Sequence, residues 1–294
     1  MTTTLSTTSN LQGTSAGLQN LAAALFGLLS TAGWTQTADT GQTANGSFTG
    51  PGVANTKAGY QIWKMNDSLA GSAPVYVRFD LGTNNQTTVG SSIWLTIGTG
   101  SDGAGNITGT ILASTQLDGT GGSYANGTSV YIGSANTNYI AWTQCTSGLS
   151  SIAGLQFSIE RTHDASGNDT NEGLLVFRCG KQAAAISGAW YYLRFTNNTL
   201  PSSTAIGAWA PSGTSWSDPG GSNNIGVCPV RFFNGAPSNP SICWQVYLNG
   251  DQAQDQVIPV SMYGTTRSYY ALGATKVSTV ASGNANSTLM MIYQ

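Results

Sequence analysis

The sequence predicts a mostly β protein, an antiparallel β-sandwich or jelly roll with one N-terminal α-helix. Short runs rich in Val, Ile, Tyr, Trp and Phe alternate with polar residues, which is typical of half-buried strands. Clusters of Gly, Asn, Asp and Ser separate these runs and supply turns. Four strand patterns within residues 60–112 indicate a sandwich or jelly roll. Only residues 15–31 carry apolar residues convincingly at helical spacing.

The composition indicates a folded chain with very few charges. Charged residues are 7% of the 294 residues, compared with about 25% in an ordinary soluble domain. Hydrophobic residues make up 40% and aromatic residues 10%, which is enough to build a core. The formal charge is −2 and no basic run occurs, so the electrostatic signature of nucleic-acid binding is missing. We therefore expect no nucleic-acid partner.

The predicted helix begins with Ser15 as its N-cap and ends at Gly33. Residues 1–56 hold no Lys or Arg, so a secretory signal with a positive n-region is not expected. The helix has a length of roughly 24 Å, which is too short to cross a bilayer. We therefore expect no membrane span.

A stripe of apolar side chains along this helix has two interpretations. Four leucines recur at spacings of three, four and three residues: Leu18, Leu21, Leu25 and Leu28. In one interpretation the helix packs on its own β domain. In the other, the stripe meets copies of itself or docks on a larger assembly, because almost no charge keeps the other helix faces in water. The second interpretation makes residues 1–33 an N-terminal helical anchor and the four leucines its assembly residues.

Residues 34–294 are predicted to form a β-sandwich region, with two β units and a boundary near 180–200 as the alternative. Residues 34–59 resemble an extended arm or a run of short edge strands. Strands are expected near residues 60–64, 74–81, 93–97, 107–113, 129–132, 138–142, 155–162, 174–178, 190–195, 228–233, 242–248, 257–262 and 288–293.

The hairpin over residues 163–173 carries three carboxylates and the only histidine of the chain, His163. A calcium loop and a solvated tip are the two interpretations. The loop lacks the D-x-[DN]-x-[DN]-G spacing with a later Glu, which favours the solvated tip. We expect no bound metal and no cofactor.

The four cysteines of the chain show no C-x-x-C pair and no regular spacing; they are Cys145, Cys179, Cys228 and Cys243. Two disulfides are one interpretation of an even count. A chain this long with so few cysteines favours buried free thiols.

Residue groups typical of enzymes are missing from the sequence. His163 is not accompanied by a G-x-S-x-G motif, and no phosphate-binding G-x-x-x-x-G-K-[ST] motif occurs. The twelve acids lie mostly in turn patterns and provide no pair that we can assign to glycoside hydrolysis. We therefore expect that the protein is not an enzyme.

An irregular segment at residues 200–224 carries Trp209, Trp216 and Asp218. A structureless stretch of this length is uncommon inside a compact domain and is often functional. In one interpretation the two indoles stack on sugars while Asp218 holds sugar hydroxyls. In the other, the tryptophans pack beneath the loop that contains them.

Several segments together resemble structural proteins of tailed-bacteriophage virions, which are associated with tails, fibres or baseplates. They are Leu28–Trp34 followed by Asp39–Gly41, then Tyr60–Asp67, Pro74–Phe79, Ile97–Asn106 and Phe157–Thr162. The resemblance extends to about residue 180 and consists of strand and turn patterns.

This resemblance implies a β-rich structural subunit that is made in the bacterial cytoplasm and located in the virion. Its partners would be copies of itself and other virion proteins. The alternative is a phage adhesin or carbohydrate-binding module that recognises glycans on the host surface.

Overall fold

The structure, a computed structural model, describes residues 2–84, 88, 90–118, 129–146, 154–164, 166–179, 190–196, 226–233, 240–249, 256–262, 265–271 and 287–293. These residues form antiparallel sheets and one N-terminal helix, so the predicted mostly β fold is confirmed.

The helix α1 spans Ser15–Thr31, and a short 3₁₀-helix spans Asn45–Ser47. The first strands are β1 (Thr2–Ser9), β2 (Thr35–Gln36), β3 (Lys57–Lys64), β4 (Tyr76–Thr83), β5 (Ser91–Ser101), β6 (Ile107–Asp118), β7 (Ser129–Asn136) and β8 (Tyr139–Thr146). The remaining strands are β9 (Gly154–His163), β10 (Asp169–Cys179), β11 (Trp190–Thr196), β12 (Gly226–Phe233), β13 (Pro240–Asn249), β14 (Gln256–Met262), β15 (Thr265–Ala271) and β16 (Ser287–Tyr293).

The predicted strands are all present among the described residues. Two further strands, β1 and β15, were not predicted, and β2 lies in the segment for which short edge strands were one interpretation. β1 is a run of Thr and Ser without alternating apolar residues, and it pairs antiparallel with β7. β2 has only two residues and pairs with the end of β3. β15 pairs with β14 on one side and with β16 on the other. Backbone pairing with another strand defines these elements, and a local apolar pattern does not reveal it.

The described strands form two sheets. The first sheet contains β2 to β6 in sequence order, so each strand pairs with the next one along the chain. In the second sheet, neighbouring strands follow the order β1-β7-β8-β9, and β10 lies beside β9 and β11 beside β10. Strands β2–β6 and β7–β11 follow one another as meanders, whereas β1 pairs with β7 and β13 pairs with β9 across longer connections. The two sheets meet in the core, where the ring centroids of Phe79 and Phe157 are 6.1 Å apart.

The helix α1 lies in the same core as the two sheets. Phe26 of the helix stacks on Trp63 of the first sheet and meets Phe79 edge-on, with ring centroids 6.2 and 6.1 Å apart. Leu28 on the same helix approaches Gly133 of the second sheet closely enough that a Cβ there would clash with it. The helix therefore fills space between the sheets.

The burial of the leucine stripe decides between the two interpretations of the helix. Leu18, Leu21 and Leu25 are fully buried, and Leu28 is 2% exposed. These side chains belong to the core cluster of this chain and leave no apolar surface for another subunit. The structure thus supports a helix packed on its own domain. It corrects the assignment of these leucines as assembly residues and of residues 1–33 as a separate anchor.

The ends of α1 follow from local sequence with one correction. Thr14, not Ser15, is the N-cap, because its Oγ1 accepts from the Gly17 N–H. The Ser15 hydroxyl instead accepts from the Gly50 N–H at 2.9 Å. At the other end, Gly33 adopts a φ of 92°, and the Trp34 N–H donates to the Leu29 carbonyl. This is a Schellman motif, so the predicted end at Gly33 is confirmed.

Residues 34–59 are not a free arm. Apart from the short edge strand β2, the segment packs on the first sheet, and Phe48 is fully buried against Phe26. Its backbone follows β3, because the Thr37 N–H donates to the Ile62 carbonyl at 3.0 Å.

The second sheet continues through part of the proposed boundary near residues 180–200. β10 and β11 pair in register from Glu172–Thr196 to Arg178–Trp190.

Strand register also bears on the cysteines. Cys145 and Cys179 lie on strands that flank β9, so their Cα atoms are about 10 Å apart, beyond the reach of a disulfide.

Candidate functional site

The residues that the sequence suggested for sugar contact cannot be placed against one another. Trp209, Trp216 and Asp218 lie outside the described residues, so their role stays a prediction. Within the described part of the chain, no group of three or more His, Cys, Asp and Glu side chains could hold a metal ion. No helix in these ranges is long and apolar enough to cross a membrane.

Two concentrations of charge stand out in a chain that has few charges. The first, which we call the inter-sheet cluster, extends from the buried Arg161 to the surface and contains Asp67, Ser68, Asn138, Arg161, His163 and Asp169. The second, which we call the outer face, is the surface of the first sheet that points away from the core. It carries Lys57, Tyr60, Lys64, Tyr76, Arg78, Asp80 and Trp94.

Arg161 is the centre of the inter-sheet cluster. Its side chain is fully buried on β9 and forms an ion pair with Asp67, which lies in the loop between β3 and β4. Its Nη2 also donates to the Ala73 carbonyl of that loop at 2.8 Å. Both loop groups belong to the connection within the first sheet, whereas Arg161 belongs to the second. The guanidinium therefore joins the two sheets at one end of the sandwich.

A second set of bonds joins the same elements through Asp169. The Ser68 hydroxyl donates to one carboxylate oxygen at 2.6 Å, and the Asn138 amide donates to the other at 2.8 Å. His163 Nδ1 lies 3.4 Å from Asp169 Oδ1, and His163 Nε2 lies 3.8 Å from Glu160 Oε1. The loop of the first sheet and two parts of the second are thus held together by polar side chains.

The position of His163 corrects the prediction of a wholly solvated hairpin tip. Residues 166–168 are exposed, as predicted, but His163 is only 6% exposed and Glu172 only 7%. Burial lowers the pKa of His163 below its ordinary value. The charge of Asp169 acts in the opposite direction, while that of Arg267 lowers the pKa further. The histidine is therefore held in its neutral form to a lower pH than a solvated histidine.

The outer face arises from the two-residue period of β4. Tyr76, Arg78 and Asp80 alternate with three core residues of the same strand, which are Val77, Phe79 and Leu81. The neighbouring strands contribute in register, since Asp80 lies opposite Tyr60 on β3 and Trp94 on β5. The face carries every Lys and Arg found in the first 118 residues of the chain, namely Lys57, Lys64 and Arg78.

Each of these three cations lies over an aromatic ring. Arg78 is stacked on Tyr60, with 3.8 Å between the guanidinium carbon and the ring centroid. Lys57 lies 5.7 Å from the centroid of Trp94, and Lys64 lies 5.6 Å from that of Tyr76. Such contacts stabilise a cation on an apolar surface.

Asp80 is the only carboxylate at the centre of this arrangement. It is 1% exposed and binds Arg78 at 2.6 Å and Lys57 at 3.1 Å. Lys57 also donates to the Ser114 hydroxyl of β6 at 3.0 Å, so its side chain extends across the sheet. Lys64 forms no ion pair with any residue that the structure describes. The three cations and Asp80 sum to +2, and the carboxylate of Asp39 at the rim brings the sum to +1.

One rim of the outer face is fixed by the turn between β5 and β6. Arg78 Nη1 donates to the Gly105 carbonyl at 2.6 Å. Gly105 has a φ of 96°, and a Cβ at this position would overlap the Tyr60 hydroxyl, so only glycine fits. Asp39 accepts from Ser101 and from the Gly105 N–H. Burial raises the pKa of Asp39, but these hydrogen bonds outweigh burial and lower the pKa below its ordinary value.

Comparison with protein-family models, curated proteins and solved structures finds no match to this chain.

Proposed function

We propose that the protein is a structural component of a bacteriophage virion, present in several copies that join through their β domains. The segments that resemble virion proteins lie on the framework of the fold. They include the end of α1, the strands β3 and β4, and the turn after β5. These segments do not form a reactive centre, so the resemblance is one of architecture.

The observation that carries this proposal is the edge strand β6. Among the described strands, β6 pairs only with β5, along a length of twelve residues. Edge strands of soluble proteins are usually protected by Lys, by Pro or by bulges, because an open edge pairs with other chains. β6 contains neither Lys nor Pro, and its one charge is Asp118 at the end. Register shifts opposite β5 bend it, but its hydroxyl-rich edge is suited to a neighbouring subunit.

The test places charge on this edge. Thr110→Lys with Ala113→Lys alters two exposed positions of β6. The control, Val53→Lys with Ala104→Lys, adds the same charge at exposed positions off the edge. We expect the wild type and the control to form oligomers by light scattering, and the edge variant to be monomeric, because lysines disfavour strand pairing. Equal assembly of the two variants would exclude β6 as the interface.

The virion setting has its own test. Quantitative mass spectrometry of purified phage particles should find the protein at several copies per particle. Its absence from particles that contain the other virion proteins would overturn the proposal. This result does not depend on which surface joins the subunits.

The second candidate function is a glycan-binding adhesin. The observation in its favour is the outer face, where aromatic rings, cations and hydroxyl groups lie together on one sheet. Aromatic rings with nearby polar groups are a common means of holding sugars.

A further inference from the structure

We infer that the outer face of the first sheet is a binding site for an acidic polysaccharide. This inference deepens the adhesin candidate and names its ligand class. It does not rest on the structural role, because a virion subunit that binds no sugar is still a structural subunit.

Charge is the first argument. The chain has a net charge of −2, yet the outer face with its rim sums to +1 and holds all the cations of the first 118 residues. Lys57 is 40% exposed in its side chain, and Lys64 has no ion pair among the described residues. A ligand that complements this surface is anionic.

The spacing of the cations favours a polymer over a small anion. Lys57 binds Asp80, whereas Lys64 lies beside Tyr76, four residues earlier on the same strand. Four residues of strand correspond to about 13 Å between the Cα atoms of Tyr76 and Asp80. Cations set apart along a strand in this way match the repeated carboxylates of a uronic acid chain better than a single carboxylate or phosphate.

The neutral groups of the face favour a saccharide. Thr96 on β5 and Ser114 on β6 present hydroxyls near the cations, and the half-buried residues Tyr60 and Tyr76 lie beside them. Hydroxyl groups beside aromatic rings suit a sugar.

Nucleic acid is the other polyanion to consider. Its affinity for proteins comes mainly from many phosphate contacts, and three cations with one acid among them give few. We therefore assign the acidic polysaccharide and keep nucleic acid as an outcome of the test.

The experiment measures binding of the purified full chain to polygalacturonate by calorimetry at low and at moderate salt. We expect binding that weakens as salt rises. Lys64→Gln should reduce the affinity by about three- to tenfold, as for loss of one half-exposed ionic contact. It should also lower the slope of log affinity against log salt by about one. Lys64→Arg keeps the charge and should keep the binding.

Matched controls separate the site from general electrostatics. Ala23→Glu changes the net charge by the same amount at an exposed position of the helix α1, off the outer face, and should leave the affinity nearly unchanged. Thermal melting of each variant tests whether the fold is intact. Dextran, a neutral polysaccharide, should bind much more weakly than polygalacturonate.

Four results would overturn the inference. They are no binding of polygalacturonate at low salt, equal losses of affinity in Lys64→Gln and Ala23→Glu, equal affinity for dextran, and tighter binding of oligothymidylate than of polygalacturonate. The last result would assign the face to nucleic acid.

Discussion

At the residue scale, the contrast between two ion pairs shows how burial decides energetic importance. Arg161 and Asp67 are almost fully buried, whereas Lys57 in the pair with Asp80 is 40% exposed in its side chain. A buried pair gains little net stability when it forms, because both ions lose their hydration. Removing one partner is costly because the other charge stays buried without compensation.

This contrast gives the first stability prediction. Asp67→Ala should lower the free energy of unfolding by about 3–5 kcal/mol, because it leaves the Arg161 guanidinium without its carboxylate. Lys57→Met keeps much of the side-chain volume at an exposed ion pair. It should lower the free energy of unfolding by about 1 kcal/mol or less. Urea unfolding of both variants provides the measurement. Similar losses in the two variants would mean that Arg161 reaches water.

The same ion pair could not be predicted from the sequence. Arg161 and Asp67 are 94 positions apart, and the donor and acceptor meet only because the two sheets pack face to face. The local pattern places His163 next to a turn, which predicts a solvated side chain. The loop after β3 belongs to the other sheet and contributes to its burial, and no period along β9 reveals that loop.

At the element scale, the features that sequence predicts best are those with local causes. The bounds of α1 agree with the prediction because Thr14 and Gly33 satisfy backbone groups at each end. Two five-residue turns also have local causes. Asp102 accepts from the Asn106 backbone and side chain, and Asp164 accepts from Asn168 in the same manner. The sequence does not predict which way the leucine stripe faces, because that depends on which surface the helix covers.

The helix gives the second stability prediction. Leu25→Ala should lower the free energy of unfolding by about 2–5 kcal/mol, because it leaves a cavity between the sheets. Leu21→Asp with Leu25→Asp, or deletion of residues 1–33, should leave no folded soluble protein. Ala23→Asp is the control, since Ala23 is exposed on the same helix and its replacement should be tolerated. Near-ultraviolet circular dichroism and urea unfolding are the measurements. A deletion variant that stays folded would restore the helix as a separate anchor.

At the scale of the whole molecule, the sequence predicts the class of fold but not its functional surfaces. Alternation along β4 predicts two different sides, and the structure places Val77, Phe79 and Leu81 in the core and Tyr76, Arg78 and Asp80 on the opposite side. The concentration of cations on that opposite side requires the register of β3 and β5, which brings Tyr60 and Trp94 to either side of Asp80. Register depends on pairing across strands, so it was not available from the chain alone.

The last prediction concerns the pH dependence of the whole fold through His163, which lies where the two sheets are joined. Burial lowers its pKa below the ordinary value of 6.5, so the unfolded chain takes up a proton at a higher pH than the folded chain. The contribution to stability is complete above about pH 6.5 and falls as the pH drops below it. Asp102 and Asp164 also have lowered pKa values, but an acid with a lowered pKa loses its contribution only below about pH 4. Between about pH 7.5 and about pH 5, the change in stability therefore reports the histidine alone among these groups.

The wild type should lose unfolding free energy as the pH falls across this range. His163→Gln should show a much smaller change when urea unfolding is measured at each pH. If the wild type instead becomes more stable on acidification, the carboxylates of Asp169 and Glu160 outweigh burial, and the imidazole is charged in the folded protein.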